Sequence, residues 1–194
     1  MLSQTPKPLC RTDGKRFAIT LIGPGGAGKS TVAALIAERL GIAFVDLDRC
    51  FSDRGGDISD YINRFGYDAY TRENIETYRV ALQERRDLGV AALSSGFMTY
   101  RRDIHPEYAR LRRDIEQSAS TFVLIPSLNY EICIAETVRR QLTRPFAGSP
   151  TKEEAVIRER FRVYVDLPIR KIETMQPLQL IVDEIVKSIG CHEM

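Results

Sequence analysis

The sequence predicts an α/β fold of three layers, in which a five-stranded parallel sheet lies between two layers of helices. Five predicted strands, four of them short apolar runs, alternate with longer segments of helical periodicity. This alternation is typical of parallel strands joined by crossover helices. Apolar residues make up 43% of the 194 residues, which is the ordinary composition of one globular domain.

Local patterns justify the elements in chain order. The first run, Phe17-Ala-Ile-Thr-Leu-Ile22, is apolar and β-branched, as expected of a buried parallel strand. A glycine-rich segment follows, and an apolar helical face then begins at Val32 and ends at Gly41. Further strands are predicted at 42–45, 90–93, 121–125 and 168–173. Further helices are predicted on either side of Gly66 within 57–88, at 101–118, 129–142 and 151–164, and from residue 178 onward.

Composition and charge exclude several classes of protein. The net charge of +2 does not indicate nucleic-acid binding, and no apolar run approaches the roughly 20 residues that span a bilayer. Four cysteines without a CxxC pair and two histidines do not predict a zinc site. The N-terminus lacks the apolar core of a signal peptide. We expect a cytoplasmic monomer that binds neither nucleic acid nor membrane, with residues 1–15 as a flexible arm and residues 16–194 as one domain.

The segment Gly23-Pro-Gly-Gly-Ala-Gly-Lys-Ser30 matches the phosphate-binding pattern G-x-x-x-x-G-K-[S/T] between a predicted strand and a predicted helix. In such a loop, successive backbone N–H groups converge on phosphate oxygens at a helix N-terminus. Lys29 would reach the β- and γ-phosphates, the Ser30 hydroxyl would ligate Mg²⁺, and Thr31 would hold the α-phosphate. The predicted ATP-binding residues of the loop are Gly25, Gly26, Ala27, Gly28, Lys29, Ser30 and Thr31.

Two carboxylates, Asp46 and Asp48, follow the second predicted strand. Residues two apart on an extended strand point the same way, so both would face the phosphate loop. One could hold Mg²⁺ through water, and the other could accept a proton from an attacking hydroxyl. The sequence contains no NKxD-type base reader, which argues against a GTPase.

The stretches 21–31 and 40–49 resemble the opening of the shikimate kinases, almost residue for residue. Weaker similarity continues through residue 190, at 56–58, 65–66, 136–140, 144–146, 160–164 and Pro177. The resemblance implies a P-loop fold of the nucleoside monophosphate kinase type. It also implies transfer of the γ-phosphoryl group of ATP to shikimate, with Mg²⁺ as cofactor.

The resemblance also implies residue roles. Lys29, Ser30 and Asp46 would organise ATP and Mg²⁺, with Ser30 and Asp46 as the metal ligands. Asp48 would orient or deprotonate the acceptor hydroxyl. Arg144 would close over the transferred group from a lid at about 143–152. The adenine would lie between Arg140 and Pro177. Arg160 would face the substrate carboxylate, and an acceptor-binding subdomain would cover about 49–88. The implied sets are catalytic Lys29, Asp48 and Arg144, and substrate-binding Asp48, Arg72, Gly96 and Arg160.

Two departures fall on the acceptor side. Thr71 stands where the family pattern has a substrate-binding arginine, and Arg72 follows one position later, about 100° around a helix. Ser94-Ser95-Gly96 replaces a triple glycine after the third strand. These changes leave two alternatives open beside shikimate: a kinase for another hydroxy acid or sugar acid, and a regulatory ATP-binding module. The arginines of 101–113 are interpreted as solvated surface, with extra anion contacts as the alternative.

Overall fold

The structure is a computed structural model that describes residues 18–84, 89–142 and 150–190, without the side chains of 141–142 and 150–153. The strands are Ile19–Ile22 (β1), Phe44–Asp46 (β2), Val90–Ala92 (β3), Thr121–Ile125 (β4) and Arg170–Glu173 (β5). The helices are Lys29–Leu40 (α1), Leu47–Gly55 (α2), Ile58–Phe65 (α3), Tyr67–Glu84 (α4), Tyr108–Glu116 (α5), Tyr130–Leu142 (α6), Pro150–Asp166 (α7) and Leu178–Gly190 (α8), with a 3₁₀ turn at Phe97–Thr99.

The five strands form one parallel sheet in the order β2-β3-β1-β4-β5. Asp46 pairs with Ala92, and Ala92 pairs with Leu21, so the ends of the first three strands lie at one level. Loops that leave these carboxyl ends therefore meet at one edge of the sheet, where ligands of such folds bind. The predicted fold class is confirmed.

Side chains alternate between the two faces of the sheet, and each face has its own core. On one face, Leu21 and Phe122 pack with α1 and α8 through residues such as Ile36 and Ile181. On the other face, Val123 packs with α2, α4, α5 and α7. Burial on both faces explains why β1 and β4 are almost wholly apolar, whereas the edge strand β5 is partly exposed and carries charged residues.

Helix α2 was not predicted as a separate element. Its first turn follows β2 directly, and the Asp46 side chain caps it by accepting from the N–H groups of Asp48 and Arg49. A side-chain acceptor at this position satisfies two of the orphan donors of a helix N-terminus. The acidic pair therefore spans a strand end and a helix start, and the prediction of a shared extended strand end is wrong.

The arginine-rich segment forms ion pairs along α5 and its N-cap, and Arg101 pairs with Asp68 and Asp103. Arg110 pairs with Glu107 and Asp114, and Arg112 pairs with Glu116. Such pairs three and four residues apart are typical of a solvated helix face. They favour the surface interpretation of residues 101–113.

Several expectations concern residues outside the described ranges. The expected arm at 1–15 lies there, as do residues 143–149 of the expected lid, whereas residues 150–152 form the start of α7. Helices α2, α3 and α4 cover the expected acceptor-binding subdomain as far as residue 84. No described helix combines the length and apolarity needed to cross a membrane.

Gly23 tests how closely the phosphate loop passes the neighbouring strand. Its φ is 145°, and a Cβ built there would lie 2.1 Å from the carbonyl oxygen of Leu124. We expect Gly23→Ala to lower the free energy of unfolding by about 3 kcal/mol or more, since strain and a backbone clash combine. Gly41→Ala is the matched control, because φ is 64° and no atom lies within 4 Å of the added Cβ. Its cost should be about 1–2 kcal/mol in urea titrations. Equal losses in both variants would contradict the close approach.

Candidate active site

The phosphate loop connects β1 to α1 through residues that adopt positive φ. Gly26 and Gly28 have φ values of 77° and 88°, and Gly28 lies at the N-cap of α1. Glycine adopts this region without steric cost, so the backbone N–H groups can turn inward at the helix start. Lys29 Nζ donates hydrogen bonds of 2.9 Å to the carbonyl oxygens of both Gly23 and Pro24. The ammonium group is thereby tied to the loop.

One cleft brings together most of the predicted phosphate and metal residues. Its lining consists of Gly25, Gly26, Gly28, Lys29, Ser30, Thr31, Asp46, Asp48, Leu93 and Ser95. Ala27 is the predicted loop residue that faces elsewhere, since its side chain is fully buried in the core between the sheet and α1. The loop, the acidic pair and the residue that follows β3 therefore share one space.

The oxygen atoms in this cleft fit a magnesium ion that is shared with a nucleotide. Ser30 and Asp46 both line the cleft, and one Asp46 carboxylate oxygen accepts the two capping hydrogen bonds, which leaves the second oxygen for a ligand. In the described part of the chain, no cluster of three or more metal-ligating side chains occurs. Mg²⁺ is commonly bound through one or two protein oxygens, water and substrate phosphates, so this donor set suits it.

A second cavity lies beside the loop and is suited to the base of a nucleotide. It is lined by Gly26, Gly28, Thr31, Val32, Arg140, Thr174, Gln176 and Leu178. The predicted residue Arg140 is among them, and Gln176 and Leu178 flank the predicted Pro177 in sequence. Thr174 and Gln176 were missed, although their position directly after the last strand was a usable signal.

Arg140 is held by three segments of the chain. Its guanidinium donates to the Gly26 carbonyl oxygen, to the hydroxyl and carbonyl oxygens of Thr174, and to Glu136. Hydrogen bonds and charge from Arg139 and Arg140 lower the pKa of the Glu136 carboxyl to about 2. Arg140 therefore forms a fixed wall of this cavity.

Arg160 on α7 is bound to the loop that follows β3. Its Nη1 atom donates to Ser95 Oγ at 2.8 Å, and its Nη2 atom donates to the Tyr67 hydroxyl at 3.3 Å. One turn further along α7, the Tyr164 hydroxyl donates to the Ser95 carbonyl oxygen at 2.9 Å. Helix α7 thus contacts both the side chain and the backbone of Ser95 and holds this residue in place.

Gly96 lies where these groups converge. A Cβ at this position would be 2.9 Å from the Tyr67 hydroxyl oxygen, 3.1 Å from Arg160 Nη2 and 3.1 Å from the Tyr100 ring. A side chain at residue 96 would therefore displace the groups that surround it. The predicted acceptor residues Gly96 and Arg160 are brought together.

Below this layer, a buried network joins α4 to the loop after β3. Asn74 is fully buried, donates to Ser94 Oγ at 3.0 Å and accepts from the Tyr100 hydroxyl at 3.1 Å. Tyr70 is also buried, and its phenol interacts with Ser94 and Tyr100, which lowers its pKa against the larger effect of burial. These neutral groups satisfy one another, as a buried polar cluster must.

Burial raises the pKa of the Tyr70 and Tyr100 phenols well above the ordinary range, and the nearby Asp48 charge adds to both shifts. Because the pKa of each phenol is higher in the folded state than in the unfolded state, the neutral phenols make their whole contribution to stability below the unfolded-state pKa of 10. This contribution is lost as the pH rises through the folded-state values. The same Asp48 contribution indicates that the network lies close to the acidic pair.

Thr71 and Arg72, the residues at and after the arginine position of the family pattern, point in different directions from α4. Thr71 is buried and donates to the carbonyl oxygen of Asp68. Arg72 is exposed and lies about 200° around the helix from Tyr70 and from Asn74, which face the acceptor side. This placement does not support the predicted contact of Arg72 with the substrate. Arg144 lies outside the described residues.

Comparison with known proteins decides the family. The family model for shikimate kinase matches residues 25–190. The chain belongs to the shikimate kinase family. Kinases of this family transfer a phosphoryl group to a hydroxyl group, and the matched range includes residues 25–30 of the phosphate loop, the acidic pair and Arg160.

Individual relatives agree with this family membership. The shikimate kinase of Rhizobium meliloti is 25% identical over 187 residues, which cover 94% of this chain and 90% of that protein. The shikimate kinase of Marinomonas sp. is 38% identical over 79 residues, 40% of this chain and 42% of that protein. The Schizosaccharomyces pombe pentafunctional AROM polypeptide is 37% identical over 90 residues, 46% of this chain but 6% of the polypeptide.

Solved structures share the fold. A shikimate kinase from Acinetobacter baumannii, solved in complex with shikimate, has a TM-score of 0.69 at 23% identity and covers 91% of this chain and 94% of its own. A gluconokinase from Sinorhizobium meliloti 1021 has a TM-score of 0.56 at 15% identity, with coverage of 92% and 94%. Identities this low show a common fold, which kinases for different acceptors use.

Tyr100→Phe tests the buried network of this shikimate kinase relative. We expect a loss of about 1–3 kcal/mol in the free energy of unfolding, because the Asn74 carbonyl would lose its buried donor. The stability of the variant should also fall less steeply than that of the parent chain above pH 10. Tyr61→Phe is the control and should change stability by less than about 0.5 kcal/mol. Denaturant titrations at pH 7 and above pH 10 measure both effects, and equal stabilities would show that the network contributes nothing.

Proposed function

We propose that this chain transfers the γ-phosphoryl group of ATP to a hydroxyl of shikimate and produces shikimate 3-phosphate and ADP. One observation carries the proposal. Lys29 and Asp48 line the same cleft as Ser95, the residue to which Arg160 is bound. A phosphate-binding cation and a candidate proton acceptor thereby share one cleft, and an anion-binding group is hydrogen-bonded to a residue of its lining, which suits transfer to an anionic alcohol.

The residues divide the work along this space. The loop N–H groups and Lys29 would hold the β- and γ-phosphates, and Mg²⁺ would be held by Ser30 and Asp46, where it would offset phosphate charge. Asp48 would accept the proton of the attacking hydroxyl or orient that hydroxyl. Arg160 would meet the acceptor carboxylate through a charge-assisted hydrogen bond.

A second candidate is a kinase for another hydroxy acid or sugar acid. It is favoured by the acceptor side, where Thr71 is packed inside the helix layer and Ser95 carries a hydroxyl in place of a glycine hydrogen. A regulatory ATP-binding module without transfer is less well supported, because nucleotide sensing needs neither Asp48 in the cleft nor Arg160 bound to Ser95 at its lining.

An ADP-release assay with a panel of acceptors tests the proposal. Shikimate should support turnover in the presence of ATP and Mg²⁺, above a panel of other hydroxy acids and sugar acids. Lys29→Ala provides the background, because it removes the ammonium group that contacts the transferred phosphoryl group. A preference for another acid would select the second candidate. ADP release that does not depend on any acceptor would favour the regulatory module.

Asp48→Asn distinguishes a catalytic role from a metal role. We expect kcat to fall by about 100-fold or more while the KM for ATP changes by less than about threefold, because the amide cannot accept a proton as the carboxylate does. Asp53→Asn, on the same helix and exposed, is the matched control and should leave both constants unchanged. A variant that loses ATP affinity with kcat preserved would reassign Asp48 to the metal site.

A further inference from the structure

The contacts of Arg160 join three elements that are far apart in sequence. Ser95 is 65 positions from Arg160 and Tyr67 is 93 positions from it, yet each accepts a hydrogen bond from a different Nη atom of the guanidinium. A long side chain normally loses rotational freedom when it binds a ligand. Arg160 is already held at both Nη atoms, so less of this entropy is lost on binding. We call Tyr67, Ser95 and Arg160 the arginine clamp.

The surroundings fix both acceptor groups of the clamp. The Tyr164 hydroxyl holds the backbone of Ser95, and Tyr164 itself is fully buried. Tyr67 packs against the rings of Tyr70 and Tyr100 at centroid distances of 5.8 and 6.2 Å. The partners of the guanidinium are therefore placed by the fold and not by a ligand.

The clamp leaves part of the guanidinium available. A guanidinium has five N–H donors in a fixed plane, and the two hydrogen bonds of the clamp use two of them. The accepting atoms are neutral hydroxyl oxygens, so the clamp positions the positive charge without neutralising it. Tyr67 is 43% exposed, whereas Ser95 lines the phosphate cleft. The positive charge of Arg160 thus lies between the exposed Tyr67 and the cleft where the phosphoryl group would be transferred.

We propose that Tyr67 and Ser95 are positioning residues that preform Arg160 to receive the carboxylate of the acceptor, and that they set the preference for a carboxylate-bearing alcohol over its neutral analogue. The inference rests on the proposed function for the identity of the acceptor. Neither hydroxyl touches the transferred phosphoryl group in this scheme. They act through Arg160 and affect acceptor binding more than the chemical step.

Paired acceptors test the inference. The KM values of shikimate and of its uncharged methyl ester are measured for the parent chain, Tyr67→Phe, Ser95→Ala and the double variant. Each single substitution should raise the KM for shikimate by about tenfold, since one hydrogen bond to a charged group is lost. The KM values for the ester and for ATP should stay within about twofold. The double variant should no longer distinguish the acid from the ester.

Tyr61→Phe and Ser52→Ala are matched controls on α3 and α2, and thermal melts of all variants report folding. Equal losses for acid and ester, or a parallel loss for ATP, would show a merely structural role and overturn the inference. Unchanged acid KM values would overturn it as well. If shikimate supports no turnover but another acid does, the same comparison uses that acid and its ester.

Calorimetric titration separates this inference from the proposed function. If the parent chain turns over no acceptor, the proposed function fails, and the binding of shikimate and its methyl ester decides the inference alone. Tighter binding of the acid that is lost in Tyr67→Phe and Ser95→Ala would support the clamp. Equal binding of acid and ester by the parent chain, or binding of neither, would overturn it.

Discussion

In-register parallel pairing of β2, β3 and β1 is the constraint on which the site depends. Asp46, Ala92 and Leu21 lie side by side, so the three chain segments leave the sheet at the same level. The segment that follows β2 forms α2, and the acidic pair Asp46 and Asp48 lies at its start. The segment that follows β3 is the loop that contains Ser94 and Ser95, and the segment that follows β1 is the phosphate loop. A shift of one residue in any strand would turn these side chains to the opposite face. The chemistry of the cleft is therefore fixed by backbone hydrogen bonds before any ligand enters.

On the acceptor side, this chain has Thr71 where the family pattern has an arginine, and neutral polar groups lie beneath it. Thr71 packs inside the helix layer, and Asn74, Ser94 and Tyr100 satisfy one another in the space below. A neutral network of this kind avoids the desolvation cost of a buried ion pair. The positive charge of Arg160 lies beside this network, where two of the five N–H donors of the guanidinium bind Ser95 and Tyr67.

The sheet and the phosphate loop could be predicted because their signals are local. Continuous apolar runs mark strands that are buried on both faces, and the loop motif lies within eight residues. Helix α2 was missed because Asp46-Leu47-Asp48 reads as a strand end unless the capping role of Asp46 is known. The contacts of Arg160 with Ser95 and Tyr67 connect distant positions, and no periodicity carries that information. The motif spacing falls on Thr71, and the exposure of Arg72 one position later depends on how α4 packs, which the spacing does not show.

Arg140 joins the phosphate loop, α6 and the residues after β5 through its contacts with Gly26, Glu136 and Thr174. One side chain thus supports the wall of the base cavity and the loop that faces the phosphates. A substitution of Arg140 that changed the base cavity would therefore also remove a contact to the phosphate loop. The contacts that hold Arg160 run to Ser95 and Tyr67 and do not involve this wall, so the acceptor side can be altered while the base cavity keeps its shape.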